Sequence, residues 1–443
     1  MLLNLPGFYR LTSSTNSMRY IIILAFLFSN NIVHSQNLYF PPVVGNTWAT
    51  TDPASLGWCT ARLDSLYNYL SQNNTKGFIV LKDGRIVLER YFGSFTQDSS
   101  WYWASAGKTL TALLTGKAKE QGFLSLSDTT AKYLGNGWTS LTRAQEDRIT
   151  IRHQLTMTTG LNDGGDVFCT DPPCLQYLAP AGTRWAYHNA PYTLLEQVIE
   201  NATSQNINLY TQNVLRLSTG MTGLWVTVDY NNVFSSKPRS MARFGLLMQN
   251  RFKWANTQIL SDENFISEML NSSQPLNYAY GYLTWLNGRG SFMVPSTQFQ
   301  FPGSLAPAAP ADMFAAIGKN GQIVSVSPSK GLVIVRMGDD PASGDVPFAL
   351  CDEIWQRLNY VMCASSTVPK TYTFIGSGNW TTATNWTNAE VPPANLPAGD
   401  QVIIYPAGNN ECILNINQVI SAGAKLHVLG NKKMTVTGNL VLQ

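Results

Sequence analysis

The hydrophobic and polar residues of the chain follow two periods, one typical of helices and one typical of strands. Between residues 109 and 122, apolar side chains recur every three or four positions, and a glycine stands at the end. This spacing predicts a helix with one buried face. Before it, two β-rich runs at residues 77–81 and 85–91 are joined through Asp83-Gly84. An Asp-Gly turn between such runs predicts an antiparallel hairpin.

The order of the remaining segments predicts the fold class. Further helical patterns occupy the early and middle parts of the chain, at residues 61–70, 150–160, 191–200, 240–249 and 263–270. Strand patterns and one last helical pattern follow, at residues 314–317, 322–326, 332–336 and 346–362. We therefore predict an α+β fold in which both ends of the domain complete one antiparallel sheet. Helices flank this sheet, and the middle of the chain forms an all-helical lobe.

A change of composition at residues 365–370, Ser-Ser-Thr-Val-Pro-Lys, predicts a linker. Beyond it, short alternating runs separated by Gly and Asn predict a small all-β C-terminal module, either a β-sandwich or the first rungs of a β-solenoid. Its last run is apolar and lacks a polar cap, as in a truncated module. We assign residues 36–364 to the main domain and residues 365–443 to this module. The module carries no acid–base cluster, so we interpret it as structural or as a means of attachment to the cell surface.

The first 35 residues have the pattern of an export signal preceded by a short upstream stretch. Met18-Arg19 stands before an apolar run at residues 20–28, and a polar stretch then ends in Val33-His34-Ser35. This is a charged region, an apolar region and a small-residue cleavage site, so we expect the mature protein to begin at Gln36. The apolar run is too short for a permanent membrane span. We predict a bacterial protein that is secreted, periplasmic or held at the cell surface.

The charge of the chain argues against some classes of binding partner. The formal net charge is +3, and no basic run exceeds a pair such as Lys432-Lys433. Nothing in this distribution indicates binding to nucleic acid or to an anionic membrane surface.

Export permits disulfide bonds, and the chain has six cysteines: Cys59, Cys169, Cys174, Cys351, Cys363 and Cys412. Cys169 and Cys174 bracket Thr-Asp-Pro-Pro, a turn that brings them together, so we predict a local bridge. Cys59 and Cys351 stand at the starts of an early and a late predicted helix and could pair, which would leave the last two cysteines to each other. The spacing does not decide the connectivity beyond the local pair.

Candidate chemistry begins with Ser105 and Lys108. Three residues apart on a helix, their side chains share one face. The first turn of a helix favours an anionic serine oxygen, because free N–H groups and the positive end of the dipole lie there. A lysine buried at this point would lose proton affinity and could act as a base toward Ser105. Taken alone, the tetrapeptide is explained more simply by a capping serine and a solvated lysine.

A histidine-dependent triad has little support. After the export signal, the chain has only His153, His188 and His427, and no G-x-S-x-G segment occurs. His153 lies in a helical pattern, where a core or capping role is the simplest interpretation. This leaves a lysine mechanism as the better hypothesis for a reactive serine.

Several segments in a fixed order carry a family resemblance. They are Ser105-Ala-Gly-Lys108 (an S-x-x-K box), residues 122–128, residues 149–161, Tyr187-His-Asn189 (a Y-x-N box), residues 280–285 and residues 314–322. Together they resemble the serine β-lactamase and penicillin-binding-protein superfamily, in particular its class C-like branch of esterases and 6-aminohexanoate-oligomer amidases. The resemblance covers roughly residues 45–362 and implies a β-lactamase/transpeptidase-like fold.

The resemblance implies a role for each motif residue. Ser105 would be the nucleophile that forms an acyl-enzyme, and Lys108 would be the neutral amine that takes or relays its proton. Tyr187, with a pKa lowered by Lys108, would act as general base or as proton shuttle to the leaving group. Asn189 would orient Lys108 or the substrate amide.

The oxyanion hole and the third motif of the family lie on a later strand. The resemblance implies that the backbone N–H of Ser105 and one N–H near Ala316 and Ile317 bind the oxyanion. The third motif, K-[TS]-G or H-x-G, holds a substrate carboxylate in the family. Lys319-Asn-Gly321 is one match to it, but the register that we prefer puts residues 315–317 at that place and makes Lys319 a turn residue. In that register the cationic clamp for a carboxylate is missing.

The sequence therefore predicts a secreted serine hydrolase that cleaves an ester or amide bond in a small-molecule or peptide-like substrate, with no cofactor or metal. The alternatives are a β-lactamase or D-Ala-D-Ala carboxypeptidase, and an inactive surface protein that binds or adheres through its C-terminal module. Aromatic residues close to the motifs indicate either an aromatic cleft or core packing: Trp101, Tyr102, Trp103 and Trp185.

Overall fold

The computed structural model describes residues 38–342, 347–363 and 370–443. The predicted export signal lies outside the described residues, as does the predicted boundary between the main domain and the C-terminal module.

The centre of the main domain is a six-stranded antiparallel sheet. Its strands are β1 (Thr75–Lys82), β2 (Arg85–Tyr91), β3 (Trp285–Leu286), β4 (Phe314–Gly318), β5 (Gln322–Ser327) and β6 (Leu332–Gly338). They lie in the order β2-β1-β6-β5-β4-β3. The predicted hairpin is present between β1 and β2, and Asp83 and Gly84 both have positive φ, as the tight hairpin turn requires. Because β1 pairs with β6, the two ends of the domain complete one sheet, as predicted.

Six longer helices accompany the sheet. They are α1 (Leu63–Gln72), α2 (Gly107–Glu120), α3 (Asn189–Thr203), α4 (Pro238–Gln249), α5 (Glu263–Leu270) and α6 (Pro347–Val361). Val324 of β5 packs toward Gly245 of α4, whereas the next residue, Ser325, accepts a hydrogen bond from Trp355 of α6. Successive residues of a strand point to opposite faces, so α4 and α6 cover the two faces of the sheet. Every residue of β4, β5 and β6 is accordingly buried.

The all-helical lobe contains α2, α3 and α5 together with short helices at Ala131–Leu134, Arg143–Glu146, Ile151–Leu155, Ile207–Thr211 and Leu217–Thr219. The helix predicted to extend to residue 160 ends at Leu155. Met157 follows with φ +57°, a left-handed conformation that cannot continue a helix. Short strands complete the domain, at Trp101–Tyr102, Leu224–Val228, Asn231–Ser236, Lys253–Trp254, Thr257–Gln258, Ser291–Phe292 and Phe301–Pro302.

The C-terminal residues form three parallel sheets of three strands each. Successive turns of the chain stack in register, the first with strands Thr371–Phe374, Gly378–Asn379 and Asn395–Leu396, the second with Gln401–Ile404, Glu411–Leu414 and Asn417–Ile420, and the third with Lys425–Val428, Lys433–Val436 and Asn439–Leu442. Pairing of each strand with the strand one turn later is the arrangement of a β-solenoid. Of the two predicted forms, the solenoid is therefore the one present.

The solenoid packs directly against the main domain. Lys425, in its third turn, forms an ion pair with Asp352 of α6, and the Asp352 side chain is almost completely buried there. Asp352 also accepts a hydrogen bond from the backbone N–H of Ala308. A buried carboxylate without such partners is energetically costly. The ion pair therefore favours this particular placement of the solenoid against the main domain.

Two disulfide bonds join four of the six cysteines in the described residues. The predicted bridge between Cys169 and Cys174 is confirmed. The pairing of Cys59 with Cys351 is wrong, because Cys59 is bonded to Cys363. Cys59 stands before α1 and Cys363 follows the end of α6, so the start of one helix meets the end of the other. Cys351 lies about three turns earlier on α6 and is a buried free thiol, as is Cys412.

Disulfide bonds of this kind are compatible with an extracellular protein. Among the residues that the structure describes, no helix has the length and apolar character needed to cross a membrane.

The connectivity can be tested by counting thiols. Burial raises the pKa of both Cys351 and Cys412 to about 12, so neither thiol should react in the folded protein. We expect iodoacetamide to add no label to the native, unreduced protein and two labels after unfolding without reductant, with peptide mapping placing them on these two residues. Labels on Cys59 or Cys363 would contradict the connectivity.

Candidate active site

Ser105 lies at a sharp turn between a short strand and α2. The strand Trp101–Tyr102 pairs with Ser235 and Ser236 of a neighbouring strand, which fixes the approach of the chain. Ala104 then has φ +46°, a left-handed conformation that costs a non-glycine residue on the order of 1 kcal/mol. One turn of 3₁₀-helix, Ala104–Ala106, leads into α2. Ser105 thus lies at the start of the helix, as the sequence predicts.

Lys108 is buried and points its amine toward the serine. Its Nζ donates a hydrogen bond to Ser105 Oγ over 2.8 Å and a second to Oδ1 of Asn189. The amine also lies 4.2 Å from the ring centre of Tyr192. Burial lowers the pKa of Lys108 to about 7, although the negative charge of Glu196 acts in the opposite direction. A substantial fraction of the amine is therefore neutral at neutral pH.

Tyr187 completes the group of motif residues around Ser105. Its ring stacks on Trp285 with 5.4 Å between ring centres. Burial raises the pKa of Tyr187 well above its ordinary value, and a side-chain hydrogen bond with Ser105 opposes this only in part. The expectation that Lys108 lowers this pKa is wrong, because desolvation of the phenolate outweighs the nearby charge. Tyr187 is a neutral phenol at neutral pH.

Gly318, at the end of β4, is the site residue that the sequence did not reveal. A Cβ atom at this position would lie 2.4 Å from the carbonyl oxygen of Trp103 and 2.9 Å from the backbone nitrogen of Ser105. Only glycine allows the strand to pass so close to the serine turn. A single glycine at a strand end is not a recognisable sequence motif. Its role beside Ser105 becomes visible only in the tertiary structure.

The other residues that the sequence analysis named on and after β4 lie in the core, at the cavity or in a turn. Ala316 is fully buried, and Ile317 lines the cavity beside Ser105. Lys319 is exposed and begins the turn Lys319–Gly321, as the preferred register predicts, while also lining the mouth of the cavity. The strand next to Ser105 therefore presents small and apolar residues.

A cavity of about 580 Å³ opens at Ser105. Its aromatic wall consists of Phe168, Tyr187, Tyr192, Trp285 and Phe348. Trp101, Tyr102, Trp103 and Trp185, the aromatic residues that the sequence offered for a cleft, do not line it, and Trp103 and Trp185 are fully buried in the core. The charged side chains along the cavity are Lys108, Lys319 and Asp340. The site thus offers an apolar surface to most of a bound molecule.

The described residues contain no group of three or more His, Cys, Asp or Glu side chains that could hold a metal ion. His153 interacts with Thr150 at the start of its short helix, which is the second of the two roles, core or capping, expected for it.

Two solved structures have a similar fold. A Bacillus anthracis protein provisionally named a 6-aminohexanoate-dimer hydrolase superposes with a TM-score of 0.55 at 18% identity, covering 73% of this chain and 91% of that one. A provisionally named β-lactamase from Bacteroides dorei also gives a TM-score of 0.55 at 18% identity, covering 69% of this chain and 99% of that one. At such identities the likeness shows the fold alone.

The class defined by this fold is that of the β-lactamases and penicillin-binding proteins. The family model described as Beta-lactamase matches residues 72–347, more than half of the chain, so the chain belongs to the β-lactamase family. A Bacillus subtilis protein provisionally named penicillin-binding protein PbpX is 26% identical over 180 residues, 36% of this chain and 44% of that protein. An uncharacterised protein of Alkalihalophilus pseudofirmus is 28% identical over 137 residues, 29% of this chain and 37% of that protein. The chain spans less than half the length of these curated relatives.

A test of the close approach of β4 is Gly318→Ala. The new methyl group would meet backbone atoms that cannot rotate away, so the Ser105 turn should be displaced. We expect the rate of p-nitrophenyl acetate hydrolysis to fall about 10²- to 10³-fold, while circular dichroism shows a folded protein.

The matched control is Gly107→Ala, in the same turn. A Cβ atom there meets only side-chain carbons of Trp225 and Phe234, the nearest at 3.5 Å, which is an ordinary contact. This variant should keep most of its rate of p-nitrophenyl acetate hydrolysis. Equal rates for the two variants would contradict the assignment of Gly318 to the site.

Proposed function

We propose that the protein is an exported serine hydrolase that cleaves an ester or amide bond through an acyl-enzyme on Ser105. The observation that carries the proposal is the buried Lys108 amine, 2.8 Å from Ser105 Oγ and with a pKa of about 7. A lysine in this state can accept a proton at neutral pH, which an ordinary solvated lysine cannot.

In the first half of the reaction, the Lys108 amine takes the proton of Ser105 while Oγ forms a bond with the substrate carbonyl carbon. The bond to the leaving group then breaks, and the leaving atom receives the proton from the Lys108 ammonium, with the Tyr187 hydroxyl as relay. In the second half, water attacks the acyl carbon and passes a proton to Lys108 through Tyr187. The bond between the acyl carbon and Ser105 Oγ then breaks, the acid product leaves, and Oγ takes the proton back from Lys108. Asn189 orients the Lys108 amine throughout, because its Oδ1 accepts one of the amine hydrogens.

The oxyanion that forms in both halves of the reaction needs two hydrogen-bond donors. The backbone N–H of Ser105 supplies one, at the start of α2. We assign the second to the end of β4, near Ala316 and Ile317, where the strand continues past its last partner in β3 at Ala315. The short approach of Gly318 to Ser105 supports this assignment, because it places the end of β4 beside the serine turn.

The cavity favours an uncharged acyl group over a β-lactam. Ile317 and Gly318 present no cation to a substrate carboxylate, and the aromatic wall suits an apolar group. Lys319 supports hydrolysis of β-lactams or D-Ala-D-Ala peptides as a second candidate, because this cation lines the mouth of the same cavity. Hydrolysis of a chromogenic cephalosporin would separate the two candidates.

An inactive binding protein is less well supported. Ser105, Lys108 and Asn189 are joined by hydrogen bonds, and a scaffold without activity has no need to bury a lysine amine beside a serine. The β-solenoid is proposed as a structural element or surface attachment, and no nucleic-acid partner is proposed.

The nucleophile can be tested by intact mass after a short pulse with p-nitrophenyl acetate and p-nitrophenyl butyrate. We expect one acyl adduct on the mature protein and none on Ser105→Ala, because Ser105 carries the hydroxyl that the Lys108 amine can deprotonate. Release of p-nitrophenol should follow the adduct. A protein that forms no adduct and releases no p-nitrophenol would refute the proposal.

The pH dependence of acylation tests the role of Lys108. Its pKa of about 7 means that the amine is an ammonium below this pH and a free base above it. We therefore expect kcat/KM for the ester to fall about tenfold per pH unit below pH 7 and to reach a plateau above it. A rate that is constant from pH 5 to pH 8 would show that a different group is the base.

A further inference from the structure

We propose that Trp285 is a positioning residue, which holds the Tyr187 ring so that its hydroxyl can pass a proton to the leaving group. The inference rests on the proposed function, because it concerns the proton relay of that reaction. It arises from the packing of aromatic rings at the point where the central sheet meets the cavity.

The Tyr187 side chain depends on its neighbours for its position. Tyr187 lies in a segment without regular secondary structure, two residues before α3 begins at Asn189. The backbone N–H of Ala186 donates to the carbonyl oxygen of Met157, which fixes the chain but leaves the ring free to turn. The phenol hydroxyl is at the far end of the ring from this backbone, so a small tilt of the ring moves the hydroxyl away from Ser105.

Trp285 provides the closest support for this ring. Among the ring contacts that the described residues make with Tyr187, the one with Trp285 has the shortest distance between ring centres, 5.4 Å, and the smallest angle between ring planes, 24°. Trp185 and Tyr280 lie farther away, at 6.4 Å and 6.3 Å, and at steeper angles. The indole therefore covers a face of the phenol and prevents the ring from tilting toward it.

Trp285 is itself held in place. It is only 3% exposed, and its backbone in β3 pairs with Ala315 of β4. Its ring meets those of Tyr280 and Phe348 edge to face, with 4.7 Å between ring centres in both cases. The same strand β4 carries Gly318 against the serine turn. Two neighbouring strands therefore locate both the nucleophile and the proton relay.

This role can be separated from simple contact with the substrate by changing the leaving group. Ethoxide is too strong a base to leave without a proton, whereas p-nitrophenolate is stable as an anion. A displaced Tyr187 hydroxyl should therefore slow the cleavage of ethyl butyrate much more than that of p-nitrophenyl butyrate. Both esters give the same butyryl-enzyme, and kcat/KM covers only the steps up to the release of the leaving group.

The test compares kcat/KM for the two esters in Trp285→Leu. We expect the preference for p-nitrophenyl butyrate over ethyl butyrate to rise about 30-fold, because a misplaced hydroxyl no longer protonates ethoxide. Trp285→Phe keeps a flat ring against Tyr187, so its preference should stay within about threefold of the native value. Circular dichroism should show that both variants are folded.

A double variant shows whether Trp285 acts through the hydroxyl. Tyr187→Phe removes the hydroxyl and should raise the preference for p-nitrophenyl butyrate by itself. Adding Trp285→Leu to Tyr187→Phe should then change the preference by less than about twofold, because no hydroxyl is left to position. A further rise as large as that caused by Trp285→Leu alone would mean that Trp285 acts on the leaving group directly, and would overturn the inference.

The matched control is Phe168→Leu. Phe168 belongs to the aromatic wall of the same cavity, and no ring contact joins it to Tyr187 in the part of the chain that the structure describes. This variant should change kcat/KM for both esters by the same factor. If its preference rises as much as that of Trp285→Leu, loss of any aromatic wall residue explains the effect, and the inference fails.

A crystal structure of Trp285→Leu tests the inference without catalysis. We expect the Tyr187 hydroxyl to lie about 1 Å or more from its position in the native protein, a displacement large enough to disable the relay. If the native protein forms no acyl adduct, the proposed function fails, and the position of the ring alone decides whether Trp285 holds it. If the adduct forms but the hydroxyl is unmoved or the ester preference is unchanged, the inference fails while the serine hydrolase remains.

Discussion

Burial of the Lys108 amine is the constraint on which the site depends. Lowering the pKa from 10.5 to about 7 corresponds to about 5 kcal/mol less preference for the ammonium. The fold accepts this because Ser105 and Asn189 take hydrogen bonds from the amine and Tyr192 lies against it. Asn189 and Tyr192 belong to α3, and Ser105 belongs to the turn that leads into α2, so the geometry around the amine depends on how the two helices pack.

The sheet holds the other side of the site. β4 carries Gly318 past the serine turn at a distance that only glycine permits, and β4 is in turn held by β5 and the buried strands beyond it. Helix α6 joins this arrangement to the C-terminal solenoid. Its residue Phe348 packs against Trp285 at the cavity, and Asp352, one turn later, pairs with Lys425 of the solenoid. The solenoid therefore contacts the same helix that forms part of the cavity wall.

Much of the main domain was predictable because its signals are local. The Asp83-Gly84 turn, the helical spacing after Ser105 and the order of strands near the C-terminal end each depend on neighbouring residues. The Cys169–Cys174 bridge is local in the same way. The pairing of Cys59 with Cys363 was not predictable, because it depends on the opposite directions of two helices that lie some 300 residues apart in the chain.

By itself, the sequence determined the family, the α+β class and the motif residues Ser105, Lys108 and Tyr187, because short motifs keep their order and spacing in the chain. The tertiary structure decided which groups surround them. It placed Gly318 against the serine turn, drew most of the cavity's aromatic wall from segments far apart in the chain, and kept Tyr187 neutral. Desolvation and close backbone approach arise only when separate helices and strands pack together, and no local pattern in a sequence records them.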